Sequence, residues 1–144
     1  MNDVSVGQRV VGYVPGAWDM FHIGHLNILK RAREHCDWLV VGVVTDDALF
    51  AMKNKYPIVP FEERLEIVQS IRIVDEAIVD RSANKLEVWD RLHFDVLFKG
   101  DDWRGTAKGA RLEADLATVG AQVHYFPYTL HTSSTELRRV LAEW

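Results

Sequence analysis

The sequence predicts an α/β fold: a Rossmann-like, doubly wound sheet of five parallel strands with helices on both faces. Two observations carry this. Short runs rich in Val and Ile alternate with longer stretches of helical periodicity, in the order βαβαβαβαβα. The chemically distinctive residues fall just after those runs, where open α/β sheets bind ligands beyond the carboxyl ends of their strands.

Strands are expected at Arg9–Val14, Trp38–Val44, Glu76–Val79, Asp95–Lys99 and Gln122–Phe126, where β-branched residues crowd as buried parallel strands require. Helices are expected between them. Ile23–His35 sets Leu26, Leu29 and Ala32 on one side, and Glu62–Ile71 turns Leu65, Ile67 and Val68 inward. Lys85–Leu92 and Ala107–Val119 supply the remaining crossovers. Ser133–Glu143, with Leu137, Val140 and Leu141, reads as a terminal amphipathic helix.

The 144 residues suit a single domain, 1–144, around one core. Apolar residues make up 48% and charged residues 26%, a soluble globular balance. A net charge of −4 argues against bulk binding to nucleic acid, which needs a basic excess, but leaves room for a local basic pocket. Met1 to Val10 is polar and does not read as a signal peptide, and the apolar run Trp38–Val44 is too short for a bilayer. A cytoplasmic protein with no membrane partner is expected. Cys36 is the only cysteine, which excludes an internal disulfide, and it reads as a packed small residue. No protein-held metal site is expected.

The segment Gly16-Ala17-Trp18-Asp19-Met20-Phe21-His22-Ile23-Gly24-His25 leaves the first strand and enters a helix. A helix start offers unpaired N–H groups and partial positive charge, which favour phosphate. His22 and His25 are three apart, so they face the same way on a first helical turn and can both donate to phosphate oxygens. Gly24 between them allows close backbone approach. A His-x-x-His pair is also what half a metal site looks like, but no third ligand stands at the spacing zinc uses. No Gly-x-x-x-x-Gly-Lys-Ser/Thr pattern occurs, so this is not a P-loop.

Further candidates follow the later strands. Lys53 and Lys55 form a short basic segment after the second strand. Arg64 either organises a loop or caps a helix; Arg72, at the helix end, either grips a phosphate through two bonds or forms a surface ion pair. Gly100-Asp101-Asp102-Trp103 follows the fourth strand. Thr132-Ser133-Ser134-Thr135 precedes the last helix, where hydroxyls that cap a helix also bind phosphate.

Together these segments resemble the cytidylyltransferase branch of the His-x-Gly-His nucleotidyltransferases, and within it the members that act on glycerol 3-phosphate. The resemblance runs from the first strand to the last helix. It rests on Gly-x-Trp-Asp-x-x-His-x-Gly-His (Trp18 standing where Phe is usual), Lys-x-Lys-Tyr-Pro, Phe-Glu-Glu-Arg, Ile-Arg-x-Val-Asp and Gly-Asp-Asp-Trp. It implies transfer of CMP from CTP to glycerol 3-phosphate, releasing pyrophosphate, with Mg²⁺ accompanying the triphosphate and a homodimeric assembly. His22, His25, Lys53, Lys55 and Arg72 would be catalytic. Gly16, Ala17, Trp18, Asp19, Gly24, Gly100, Asp101, Thr129, Ser133, Ser134 and Thr135 would bind the nucleotide, and Asp19, Arg72 and Lys85 the acceptor. Asp101 would hold the ribose or help orient the metal-bound nucleotide. Phosphoethanolamine, phosphocholine or a polyol phosphate could replace glycerol 3-phosphate, and ATP could replace CTP. The chain departs from the pattern at Tyr128, where the family carries arginine, and at His131, where it carries glycine. These departures also suit a nucleotide-binding protein without turnover. Arg138 and Arg139 lie close enough along the last helix to supply the missing charge.

Overall fold

The computed structural model describes residues 9–127 and 134–143. Five strands, β1 (Val11–Gly16), β2 (Trp38–Val44), β3 (Glu76–Asp80), β4 (Val96–Gly100) and β5 (Gln122–Phe126), form one parallel sheet in the order β3-β2-β1-β4-β5. Helices α1 (Ile23–Glu34), α2 (Asp46–Lys53), α3 (Phe61–Gln69), α4 (Lys85–Leu92), α5 (Ala107–Ala117) and α6 (Ser134–Ala142) complete the fold, with a 3-10 turn at Asp101–Trp103. The doubly wound α/β fold is therefore as the sequence predicts.

Two cores lie on the two faces of the sheet. Leu29 and Ala32 of α1 and Val68 of α3 pack on Val14, Val41, Val43 and Phe98. Val88 of α4 and Leu112 and Leu116 of α5 pack on Tyr13, Val40 and Leu97. The chain winds outward from β1 to β3, then crosses back to β4, so strand order reverses between β1 and β4. The ladder is uneven there. β1 pairs with β2 along its whole length, from Val11↔Trp38 to Gly16↔Val43. With β4 it pairs only at Gly12↔Val96 and Tyr13↔Leu97, although β4 continues beside β5 to Gly100↔Phe126. Beyond Tyr13 the sheet is open, and that opening is the crevice at the carboxyl edge.

The opposite edge is closed by three aspartates, each standing just before a strand. Asp37 accepts the N–H of Val10, Asp75 that of Leu39, and Asp95 that of Val11, each at 2.8 Å. These bonds satisfy amides that have no ladder partner. They also explain why β1 starts at Val11 rather than Arg9. At Gly42 the Tyr13 side chain crosses the neighbouring strand, and any Cβ there would overlap the Tyr13 hydroxyl.

Three expectations need correction. The segment after β2 is not a bare loop: α2 occupies it, capped by Thr45, whose hydroxyl accepts the Ala48 N–H, and carrying Asp46 and Asp47 in its first turn. Ile67 points outward at 43% exposed, and Arg64 takes a place beside Leu65 and Val68 on the inward face. On α6, Val140 and Leu141 are exposed rather than packed. Cys36 is packed as expected; its thiol donates to the Ala32 carbonyl, and burial pushes its pKa up. Among the described residues no helix is long and apolar enough to cross a membrane.

Candidate active site

The phosphate loop runs from the end of β1 to the start of α1 and is held in a strained shape. Trp18 and Met20 both have left-handed backbones, φ 57° and 52°, which non-glycine residues adopt at a cost of about 1–3 kcal/mol each. Several contacts hold the loop there. Trp18 is buried, and its indole N–H donates to the Gly42 carbonyl at 2.9 Å. Gly16 gives way to that ring, since a Cβ would meet it at 2.9 Å. Asp19, 2% exposed, accepts the N–H groups of Ile58 and Val59 at 2.9 and 2.8 Å and pairs with Arg138 of α6. Ala17 offers its carbonyl to Arg64 at 2.6 Å.

Arg64 is fully buried. Its Nη1 also donates to Val44 O at 2.8 Å, its Nε to Val59 O at 2.8 Å, and its Nη2 pairs with Asp46 at 2.6 Å. One guanidinium thus joins the phosphate loop, the end of β2, the start of α2 and the loop carrying Ile58 and Val59. Of the two readings of Arg64, the structure supports the loop organiser.

The two histidines form a reciprocal cap on α1. His22 Nδ1 accepts the Gly24 N–H at 3.0 Å, and His25 Nδ1 accepts the His22 N–H at 3.2 Å. The rings lie 4.0 Å apart between centroids. With both Nδ1 atoms accepting, each neutral ring carries its proton on Nε2. Burial lowers the pKa of His22, and burial together with His22 pushes His25 down to about 3. Near pH 7 the pair is therefore two neutral Nε2–H donors. The first turn of α1 holds no acidic residue, unlike α2 and α3, so the positive end of its dipole is uncompensated. Ser134, at the start of α6, donates to Asp19 O at 2.7 Å and lies 3.4 Å from His22 Nε2.

The depressed histidine pKa values carry a stability consequence. Below the unfolded-state value of about 6.5 the unfolded chain binds the His25 proton and the folded chain does not, so stability falls as pH drops through 6.5 towards 3. Urea midpoints measured between pH 7 and 5 should decline, by at most about 1.4 kcal/mol per pH unit for this one group. The His25→Asn variant should show a shallower decline; an unchanged slope would contradict the assignment.

The structure gathers most of the candidates at the carboxyl edge. Gly16 and Gly100 end β1 and β4; Lys53 ends α2; Lys55 is exposed in the loop that Asp19 holds; Asp101 is exposed in the 3-10 turn; Thr135 is exposed on α6. Thr129 and Ser133, with Tyr128 and His131, lie outside the described residues. Three side chains are not disposed as expected. Trp18 is packed in the core, so only its backbone can reach a ligand. Lys85 donates to Asp80 at 2.8 Å and to Ser82 O at 2.9 Å, and Asp80 also accepts from the Tyr13 hydroxyl at 2.6 Å. Arg72 sits in the turn before β3, at the edge opposite the histidines, and is exposed. That turn belongs to the aspartate-closed edge, so this chain does not bring Arg72 to its own crevice. Arg138 is paired with Asp19, and Arg139 with Glu136 and Glu143. Lys99, the penultimate residue of β4, joins the edge without having been singled out; its only sequence signal is a charge inside an apolar strand.

A doubly wound sheet, with an uncompensated helix start and two neutral imidazole donors at its switch point, has the form of a phosphate-binding edge and suits the nucleotidyltransferase class. The sequence profile described as Cytidylyltransferase-like matches residues 13–140, and the chain belongs to this family of nucleotidyltransferase enzymes. It is 32% identical to the glycerol-3-phosphate cytidylyltransferase of Bacillus subtilis (strain 168), over 94% of this chain and 98% of that protein. It is 39% identical to an ethanolamine-phosphate cytidylyltransferase of Arabidopsis thaliana, over 62% of this chain but only 22% of that longer protein. Identity to an FAD synthase of Thermococcus kodakarensis is 30%, over 89% of this chain and 87% of that protein. Among solved structures, a lipopolysaccharide core biosynthesis protein from Thermoplasma volcanium GSS1 shares the fold, with a TM-score of 0.72 at 23% identity, covering 86% of this chain and 99% of that one.

Proposed function

We propose that the protein transfers CMP from CTP to glycerol 3-phosphate, giving CDP-glycerol and pyrophosphate. The observation that carries this reading is the pair of Nε2–H donors at the start of α1. An oxygen of the acceptor phosphate attacks the α-phosphorus of CTP in line, forming a new P–O bond. The bond from the α-phosphorus to the bridging oxygen breaks, and the electron pair leaves with pyrophosphate. The acceptor phosphate has a second pKa of about 6, so it is largely dianionic at neutral pH and needs no general base. Rate enhancement then comes from alignment and from donors aimed at the charge that develops on the phosphates.

His22 and His25 donate to those oxygens while remaining neutral, and Lys53 and Lys55 add positive charge. Asp19 serves the acceptor indirectly, by fixing the loop. Mg²⁺ would come as a companion of the triphosphate, with Asp101, an exposed carboxylate in the 3-10 turn, as the residue that would help hold it. When bound it supplies charge neutralisation on the phosphates.

The full-length likeness to the Bacillus subtilis enzyme supports glycerol 3-phosphate as acceptor. The likeness to an FAD synthase makes ATP the competing nucleotide. Pyrophosphate release should be measured with CTP, ATP or GTP against glycerol 3-phosphate, phosphoethanolamine, phosphocholine and unphosphorylated glycerol, all with Mg²⁺. CTP with glycerol 3-phosphate should be fastest. Preference for another acceptor or for ATP would reassign the substrate, and no release with any combination would make this a binding protein without turnover.

A further inference from the structure

The carboxyl edge carries a further cation, Lys99, that the mechanism above does not use. Along β4, Phe98 faces the α1 and α3 side and Leu97 the α4 and α5 side, so alternation sends Lys99 to the face of Leu97. Its Nζ rests 3.9 Å from the centre of the Trp103 ring, and Lys108 Nζ lies 5.8 Å from the same ring. Among the described residues no carboxylate pairs with Lys99 and no oxygen accepts from it. Lys85, which faces it, differs, being paired with Asp80.

The charged groups facing Lys99 are Asp102 from the 3-10 turn, Lys85 from α4, Lys53 from α2 and Lys108 from α5. Asp80 neutralises Lys85, so Lys99, Lys53 and Lys108 stand against Asp102 alone. Burial, with the lysines acting in the same direction and Asp102 opposing, pushes the Lys99 amine down to about 8. An aromatic face stabilises an ammonium only weakly and supplies no acceptor oxygen. This is the surrounding of a cation completed by an anionic ligand.

We propose that Lys99, seated on the Trp103 ring, binds the phosphate of the acceptor and so selects phosphorylated over unphosphorylated alcohols. The inference rests on the transfer reading given above. In-line displacement puts the nucleophile and the leaving pyrophosphate on opposite sides of the α-phosphorus. The histidines sit at the start of α1, which packs on one face of the sheet, whereas Lys99 belongs to the other. If α1 takes the pyrophosphate, the acceptor enters from the side of Lys99. This assignment also puts an unpaired cation where Lys85, already engaged by Asp80, offers little.

The Lys99→Met variant should raise the KM for glycerol 3-phosphate by at least about tenfold, with a smaller change in kcat and an unchanged KM for CTP. In the wild type, kcat/KM for the acceptor should fall above pH 8 as the amine loses its proton. Lys99→Arg should restore the KM and remove that fall. A direct probe uses inorganic phosphate on the wild-type protein with lysines labelled at Cε. The pKa read from the Lys99 resonance should rise as phosphate is added. The inference is overturned if phosphate moves only the histidine resonances, or if Lys99→Met raises the KM for CTP instead. If no acceptor supports pyrophosphate release, the transfer reading fails separately, and the Lys99 resonance still decides whether this amine binds phosphate.

Discussion

Replacing His22 or His25 with alanine should lower kcat by at least about a hundredfold, the usual scale for losing one preorganised donor to developing charge. Each ring has a capping role and a proposed phosphate-binding role, and the two must be separated. The Nδ1 atoms cap α1, while the Nε2–H groups, that of His22 lying 3.4 Å from Ser134 Oγ, are the ones proposed to reach phosphate. Alanine removes both, so a loss of about 1 kcal/mol in stability should accompany the loss of rate. Asparagine keeps an acceptor near the Nδ1 position but not the reach of Nε2. His22→Asn and His25→Asn should therefore recover stability, measured by urea unfolding, without recovering rate. Near-normal kcat in both alanine variants would remove the mechanism.

Arg64 should produce the largest stability effect. Its three nitrogens serve four oxygens: Nε serves Val59, Nη1 serves Ala17 and Val44, and Nη2 serves Asp46. Arg64→Met would orphan three carbonyls at about 1–3 kcal/mol for each buried group. The contribution of the ion pair is smaller, because the Asp46 side chain is 37% exposed. A net loss of about 3–5 kcal/mol is expected, against a total of about 5–15 for an ordinary domain. For a chain of this length that lowers Tm by about 10–20 °C. Arg64→Lys should not rescue, since one ammonium cannot occupy three nitrogen positions. A Tm within about 2 °C of wild type for the lysine variant would refute this account. Activity should fall further than stability in any variant that folds, because Arg64 fixes the Ala17 carbonyl of the phosphate loop.

What the sequence revealed depended on whether the signal was local. Strand β2 was legible because seven apolar residues run uninterrupted between polar flanks. That His22 and His25 share one side of the helix start was legible because their spacing encodes it; that their Nδ1 atoms cap the helix was not, since spacing does not say which ring nitrogen faces the backbone. Helix α2 was missed although Thr45-Asp46-Asp47 is a strong helix start, because the lysines that follow drew the segment into a loop. Arg64 sits three residues after Phe61 and four before Val68, inside the apolar stripe, but a charge there reads as surface until its acceptors are known. Arg72 shows the limit from the other side: a residue between a helix and a strand is equally close in sequence to both edges of the sheet. Which edge it joins follows only from strand direction, and here that is the far one. Trp18 and Asp19 stand in the right loop, yet one is packed in the core and the other holds neighbouring segments, a distinction no spacing contains.

The short pairing between β1 and β4 has a mechanical meaning. Only Gly12 and Tyr13 bridge the two strands, so the sheet consists of two plates, β3-β2-β1 and β4-β5, joined along one end. The plates present unladdered backbone to each other beyond that joint, and the phosphate loop stands on one lip while Lys99 and the Asp101–Trp103 turn stand on the other. A substrate lying across the gap would act as the missing rungs. It would tie the lips together at the place where the protein left itself unstitched, so that the contacts aligning the reacting groups would also stiffen the sheet.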